Sequence, residues 1–163
     1  MSSVAAFGGS LIKEIGTRSE IAAFFELINR YKKKSAGGSL ALVTDRLYRR
    51  TVAGEDFDAL AKQLDECRRM LRAVPVTANF WDEFDLGEES VGLDRAASTL
   101  ADAFEGVFAG LDRVLEDAQY NKRHVGFIRP IRLQAFEGPK SYEHQYMKPE
   151  EFEKPDMRPI WLE

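Results

Sequence analysis

The residues that could carry chemistry are concentrated in one stretch, residues 79–90, with the sequence NFWDEFDLGEES. Clustered carboxylates can exchange protons as general acid and base, can bind a metal ion, or can attract a cationic partner. Residues 73–94 hold six acids and no Lys or Arg, a charge of −6. Because the whole chain carries −4, the remainder sums to +2, and the sequence predicts one strongly anionic face.

The spacing of these acids does not favour a metal site. A calcium loop places oxygen ligands at alternate positions around a central glycine and ends in a bidentate Glu. Here Phe84 and Leu86 interrupt that pattern with bulky apolar side chains. The only cysteine is Cys67, so neither a thiolate zinc cluster nor an internal disulfide can form. We therefore expect no metal ion and no cofactor.

The sequence also gives little support for nucleophilic catalysis. His124 and His144 are the only histidines, and no GxSxG, HExxH or Walker lysine motif is present. Cys67 falls on the apolar stripe of a predicted helix, so we expect a small buried hydrophobe there. No catalytic residue is predicted. A small hydrolase that uses His124 with nearby acids stays open as an alternative.

Hydrophobic periodicity predicts the helices that position the acidic stretch. Thr17-Arg18-Ser19-Glu20 fits a capping box at the start of the first helix, and Pro75 ends the third. Gly106 and Gly110, four residues apart in the last helix, indicate close approach of a neighbouring helix or backbone. Apolar residues recurring at three and four positions place the helices near residues 18–34, 40–48, 54–73 and 94–121.

Extended segments and a proline-rich tail complete the predicted chain. Residues 4–16 favour one or two short strands around Gly8-Gly9, and residues 125–136 favour a strand that Pro130 restricts to an edge or an irregular position. The tail, residues 139–163, mixes prolines with aromatics, which predicts packing on the body or on a second copy. The expected fold is α+β and mainly helical. It comprises a single globular domain, residues 1–138, with about four helices and a few short strands, followed by this extended tail.

Composition restricts the class of partner and the compartment. An apolar fraction of 44% and a charged fraction of 31% are typical of a soluble globular protein. The negative net charge argues against a nucleic-acid binder, and no apolar run approaches the roughly 20 residues of a membrane span. A single cysteine and an N-terminus unlike a signal peptide favour a cytoplasmic location.

Two interpretations remain for the acidic stretch: an ordinary solvated turn, or a protein-binding surface. Aromatic anchors supply most of the energy at protein interfaces, and surrounding charge steers association. We expect Phe80 to belong to the core, and Trp81 and Phe84 to act as anchors. The expected charged contacts are the five acids Asp82, Glu83, Asp85, Glu88 and Glu89.

A set of fold positions occurs in a familiar order across roughly residues 11–85. The set consists of Glu14-Ile15-Gly16, Phe24-Phe25, Leu47-Tyr48, the charged helix FDALAKQLDECRRMLRAVP, and Trp81-Asp82 shortly after Pro75. In this order the chain resembles bacterial immunity proteins of polymorphic-toxin and contact-dependent inhibition systems, in particular the immunity protein seventy family.

The resemblance implies a cytosolic antidote that binds one cognate toxin domain, occludes it, and catalyses no reaction of its own. Such toxins are often nucleases, whose active sites are basic because they hold phosphates. An anionic surface suits that kind of partner. The alternative is a non-enzymatic helical adaptor or a homodimeric scaffold that uses the C-terminal tail.

Overall fold

The computed structural model describes residues 3–8, 11–49, 51–87, 90, 92–121, 125–128, 159 and 161. Within these residues the fold is α+β and mainly helical, so the predicted fold class is confirmed. One sheet lies against a layer of helices, and the core fills the space between the two layers.

Four antiparallel strands form the sheet, in the spatial order β2-β1-β4-β3. The strands are β1, Ser3–Gly8; β2, Leu11–Thr17; β3, Thr51–Val52; and β4, Val125–Ile128. The β1–β2 pair confirms the extended pieces predicted around Gly8-Gly9. β4 pairs with β1 on one side and β3 on the other, so the edge or irregular position predicted from Pro130 is wrong for Val125–Ile128. The proline follows these residues in sequence and therefore removes no donor from their ladder.

Helices cover one face of the sheet. They are α1, Arg18–Tyr31; a π-helix, Leu42–Leu47; α2, Phe57–Arg72; α3, Phe80–Glu83; α4, Leu100–Ala103; and α5, Glu105–Asn121, with 3-10 turns at Lys32–Lys34 and Gly54–Asp56. α1, the π-helix and α2 lie where periodicity predicted helices. No helix in the described part of the chain is long and apolar enough to cross a membrane.

The helix predicted over residues 94–121 is wrong at its N-terminal end. Residues 94–99 form a loop, and helix begins only at Leu100. The physical reason is a local cap: the Thr99 hydroxyl accepts a hydrogen bond from the Asp102 N–H at 3.2 Å. A turn at Phe104 then separates α4 from α5.

The capping box predicted at the start of α1 is confirmed. The Glu20 N–H donates to Thr17 Oγ1 at 3.2 Å, and the Thr17 N–H donates to Glu20 Oε2 at 2.7 Å. The same Oε2 atom accepts a hydrogen bond from the Gly92 N–H at 3.2 Å. Glu20 is fully buried, so this one carboxylate joins the end of β2, the start of α1 and the loop that follows the acidic stretch.

Phenylalanine rings occupy the centre of the core. The Phe24 ring lies 5.2 Å from Phe108, 5.3 Å from Phe25 and 5.6 Å from Phe104. The apolar stripes predicted for the first three helical segments are buried at Ile21, Phe24, Phe25, Ile28, Leu40, Val43, Leu47, Phe57, Leu60, Leu64, Cys67 and Leu71. Periodicity therefore identified most of the helical side of the core.

Trp161 brings the end of the chain into this core. Its ring stacks on Phe25 at 5.9 Å, and its indole N–H donates to the Tyr48 carbonyl oxygen at 2.8 Å. Pro159 and Trp161 are both buried; the rest of the predicted tail lies outside the described residues. At Trp161 the tail therefore packs on the body of the same chain.

Glycines bring the loop at residue 92 against its neighbours. A Cβ atom at Gly92 would collide with the carbonyl oxygen of Ile15 in β2, and one at Gly106 in α5 would lie 2.7 Å from the Gly92 carbonyl oxygen. A Cβ at Gly110 would meet the Ile15 side chain. The close approach predicted from Gly106 and Gly110 is therefore confirmed, and it is made by backbone as well as side chain.

Replacing Gly106 by alanine should lower the free energy of unfolding by roughly 1–3 kcal/mol, because the new methyl group meets backbone that cannot move aside. Alanine has a higher helix propensity than glycine by about 1 kcal/mol, and this gain offsets only part of the steric cost. Gly37→Ala is the control, since a Cβ there meets no atom within 4 Å. Urea unfolding measures both; an unchanged Gly106→Ala variant would show that residue 92 is not fixed against α5.

Candidate protein-binding surface

The acidic stretch folds as a single helical turn, α3, followed by a tight turn. Phe80 is buried, which confirms its predicted place in the core. Its ring lies 4.8 Å from Trp81, 5.4 Å from Phe84 and 6.1 Å from Phe104. Phe80 therefore fixes the start of the acidic stretch on the aromatic core.

Trp81 and Phe84, the predicted anchors, are half-buried, and each ring carries an arginine of the same chain. The Arg95 guanidinium lies 4.4 Å from the Trp81 ring centroid, and that of Arg30 lies 5.4 Å from the Phe84 centroid. Such cation–π contacts contribute roughly 0.5–2 kcal/mol. One face of each ring is thus covered, and only the remaining ring surface is open to a partner.

Arg30 also pairs with the acids beside it. Its Nη2 atom donates to Glu83 Oε1 at 2.8 Å and to Glu26 Oε1 at 3.4 Å. The hydrogen bond to Glu83 raises the pKa of Arg30 above its ordinary value, because it stabilises the protonated guanidinium. Glu83 is therefore exposed to solvent as one member of an ion pair.

Asp82 and Asp85 carry the unpaired charge of this surface. Both are exposed, and among the described residues neither has an ion pair. Glu88 and Glu89, the other two predicted contacts, lie outside the described residues. Two of the six negative charges of residues 73–94 are offset by the contacting Arg30 and Arg95, which leaves a net charge of −4. The charge of −6 on this window in sequence therefore overstates the field there, because the fold brings in cations from elsewhere.

A Schellman motif ends α3 and places Asp85. The Leu86 N–H donates to the Trp81 carbonyl at 3.1 Å, and the Asp85 N–H donates to the Asp82 carbonyl at 3.2 Å. Asp85 has φ of 52°, in the left-handed region that this motif usually gives to glycine. Leu86 is buried, so the turn directs Leu86 inward and leaves the Asp85 carboxylate in water.

Arg95 fixes the part of the loop beyond this turn. Its Nε atom donates to Ser90 Oγ at 2.9 Å, and its Nη2 atom donates to the carbonyl oxygens of Leu86, at 3.5 Å, and Gly87. The same guanidinium lies on Trp81. Arg95 thus contacts Leu86 and Gly87 before residues 88–89, Ser90 after them, and the ring of Trp81, the predicted anchor.

Sequence reasoning missed both arginines. Arg30 is 53 residues from its partner Glu83, and no local pattern links them. Arg95 had a detectable signal, since it is the first cation after the acidic window and lies close to Trp81 in sequence. An aromatic residue among acids, with an arginine soon after them in sequence, is a reasonable basis for predicting a cation–π contact.

The other residues considered for chemistry remain without a site. Burial raises the pKa of the Cys67 thiol to about 12, so it stays protonated at neutral pH, as expected of a buried hydrophobe. Within the part of the chain that the structure describes, no group of three or more His, Cys, Asp or Glu side chains could hold a metal ion. His124 and His144 lie outside the described residues.

Comparisons with protein-family models, with curated proteins and with solved structures found no match.

Replacing Asp85 by glycine should raise the free energy of unfolding by up to about 1 kcal/mol, because glycine adopts the left-handed conformation without a steric cost. Asp85→Ala is the matched control: it removes the same carboxylate but keeps a Cβ, and it should lower stability instead. Chemical unfolding of the three proteins tests this difference. If glycine and alanine changed stability equally, the effect would come from the lost charge and not from the backbone.

Proposed function

We propose that this chain is an immunity protein that binds a cognate toxin domain in the cytoplasm and blocks it by occlusion, with no reaction of its own. The binding site is the acidic face, defined by Trp81, Asp82, Glu83, Phe84, Asp85, Glu88 and Glu89. The observation that carries the proposal is a pair of exposed carboxylates, Asp82 and Asp85, on a turn held to the core; within the described residues neither forms an ion pair. The choice of a toxin as partner comes from the resemblance of residues 11–85 to immunity proteins.

The way the turn is held supports a binding role. Phe80 is buried beneath it, the Schellman motif ends α3, and Arg95 hydrogen-bonds the following loop. A surface that is already ordered loses little conformational entropy on association, so more of the contact energy appears as affinity. Asp82 and Asp85 can therefore meet a partner without a costly rearrangement of the backbone.

The charge of the face determines the kind of partner. A net negative surface attracts a basic protein domain, such as a nuclease whose active site holds phosphates. Electrostatic steering raises association rates to roughly 10⁸–10⁹ M⁻¹s⁻¹ at low salt, against about 10⁵–10⁶ for neutral pairs. An antidote must bind before the toxin acts, so the rate of association matters as well as the affinity.

The acidic face supplies only part of a stable interface. Standard interfaces bury roughly 800 Å² and 20–30 residues on each partner. The seven residues of the face, with their arginine-covered rings, form its centre under this proposal. The proposal predicts that the gene directly follows one encoding a large secreted protein with a variable C-terminal domain, and that domain is the partner to test.

Reversing both exposed charges with Asp82→Lys and Asp85→Lys should slow association with that toxin domain at least about tenfold at low salt, since the steering field is lost. The control is Glu55→Lys with Glu116→Lys, which makes the same change in net charge at exposed acids outside the face. Stopped-flow fluorescence measures both rates. Equal slowing in the two variants would mean that overall charge matters and the face does not.

Replacing Arg30 by glutamine should have the opposite effect. It frees the Glu83 carboxylate and uncovers the Phe84 ring, so the face gains a negative charge and open aromatic surface. We expect association to accelerate about two- to threefold at low salt. Arg49→Gln is the control, because Arg49 pairs with Asp45 of the π-helix, outside the face. A slower rate for Arg30→Gln would place Arg30 itself among the binding residues.

A further inference from the structure

A cleft lies beside the segment that joins α1 to the π-helix. Its volume is about 330 Å³, and its walls are formed by Lys32, Gly38, Ser39, Leu40, Ala41 and Thr44. This volume is at the lower end of the roughly 300–1,000 Å³ that is typical of small-molecule sites. None of the residues that line the cleft belongs to the acidic face, so it is a second candidate site.

Two side chains of α2 hold the backbone that forms one wall of the cleft. The Ala36 N–H donates to Glu66 Oε1 at 3.0 Å, and the Leu42 N–H donates to Gln63 Oε1 at 2.9 Å. Residues 38–41 lie between these two hydrogen bonds in sequence. Because their backbone is fixed at both ends, a ligand would order little of the chain on binding, and less affinity is lost to entropy.

The surface around the cleft is positively charged. Three consecutive residues of the 3-10 turn are exposed lysines: Lys32, Lys33 and Lys34. The acids on the two neighbouring helices are paired with arginines, since Glu66 contacts Arg69 and Asp45 contacts Arg49. The hydrogen bond from Arg69 lowers the pKa of Glu66 to about 2. These acids therefore do not cancel the charge of the lysines, and the cleft suits an anion.

The cleft also contains hydrogen-bond donors. The Lys32 ammonium carries three N–H donors and a positive charge. Ser39 Oγ accepts a hydrogen bond from the Ala41 N–H at 3.1 Å, and its own hydroxyl hydrogen can still donate to a ligand. Thr44 differs, because its hydroxyl donates to the Leu40 carbonyl oxygen at 3.2 Å. Lys32 and Ser39 are therefore the side chains that an anion would contact.

We propose that this cleft binds the phosphate group of a small soluble phosphate ester. Lys32 and Ser39 donate to the phosphate oxygens, and Leu40 and Ala41 form the wall against the organic part of the ligand. A phosphate ester carries a charge of about −1.5 to −2 at neutral pH, and lysine is a frequent phosphate-binding residue. This proposal is independent of toxin binding at the acidic face.

Titration of the ¹⁵N-labelled full-length chain with glycerol 3-phosphate tests the site. The titration is followed by NMR at constant ionic strength and at about pH 7.5, where most of the phosphate is doubly charged. We expect saturable shifts of the amide resonances of Ser39, Leu40 and Ala41, with a dissociation constant of about 1 mM or below. Glycerol, which lacks the phosphate, should leave these resonances unchanged.

Replacing Lys32 by glutamine should weaken the binding of glycerol 3-phosphate at least about tenfold, because a hydrogen bond between charged groups is lost. Lys13→Gln is the matched control, since it removes the same charge from an exposed lysine of β2, outside the cleft. It should bind like the unmodified chain. Both lysines are exposed, so the resonances of the core should stay in place and show that each variant is folded.

Every other result would overturn the proposal. These results are shifts that do not saturate, shifts centred away from the cleft, or equal weakening by the two substitutions. Vesicles that contain phosphatidic acid present the same phosphate on a lipid. Sedimentation of the chain with these vesicles, without binding of glycerol 3-phosphate, would assign the lysines to a membrane surface and not to a soluble ligand.

Discussion

The buried carboxylate of Glu20 is the contact on which the position of the acidic face depends. One of its oxygen atoms accepts hydrogen bonds from both Thr17 and Gly92, so it links the sheet, α1 and the loop leaving the acidic stretch. A buried charge is tolerated only when such donors satisfy it, and losing one donor costs roughly 1–3 kcal/mol or more. Phe80 fixes the start of the same stretch. The described acids of the stretch, Asp82, Glu83 and Asp85, lie between these two points.

The acidic face contains one carboxylate in an ion pair and two that are exposed to solvent. Glu83 is paired with Arg30, whereas Asp82 and Asp85 have no ion pair with any residue that the structure describes. Asp85 also occupies a backbone position that glycine would fill with less strain. Among the described residues no ion pair to Asp85 offsets this strain, as is expected where function, and not stability, determines a residue's identity. This supports the proposed binding role of the face.

Local patterns in the sequence predicted the local parts of the structure. The Thr17–Glu20 capping box, the buried stripes and the end of α2 before Pro75 all depend on residues within one or two helical turns of each other. The start of the last helix was missed because Thr99 forms a cap that the apolar periodicity does not reveal. The internal position of β4, the contact of Arg30 with Glu83 and the packing of Trp161 on Phe25 depend on residues far apart in sequence. Periodicity contains no information about such pairings.

The most direct test is the salt dependence of association between the unmodified chain and the proposed partner, a basic toxin domain. Charges on an exposed face are screened within about 10 Å at 0.1 M salt and within about 30 Å at 0.01 M. If unpaired carboxylates steer the partner, the association rate should fall steeply as ionic strength rises from 0.01 to about 0.3 M. A rate that stays constant over that range, or that rises, would contradict the central claim that this surface attracts a basic protein.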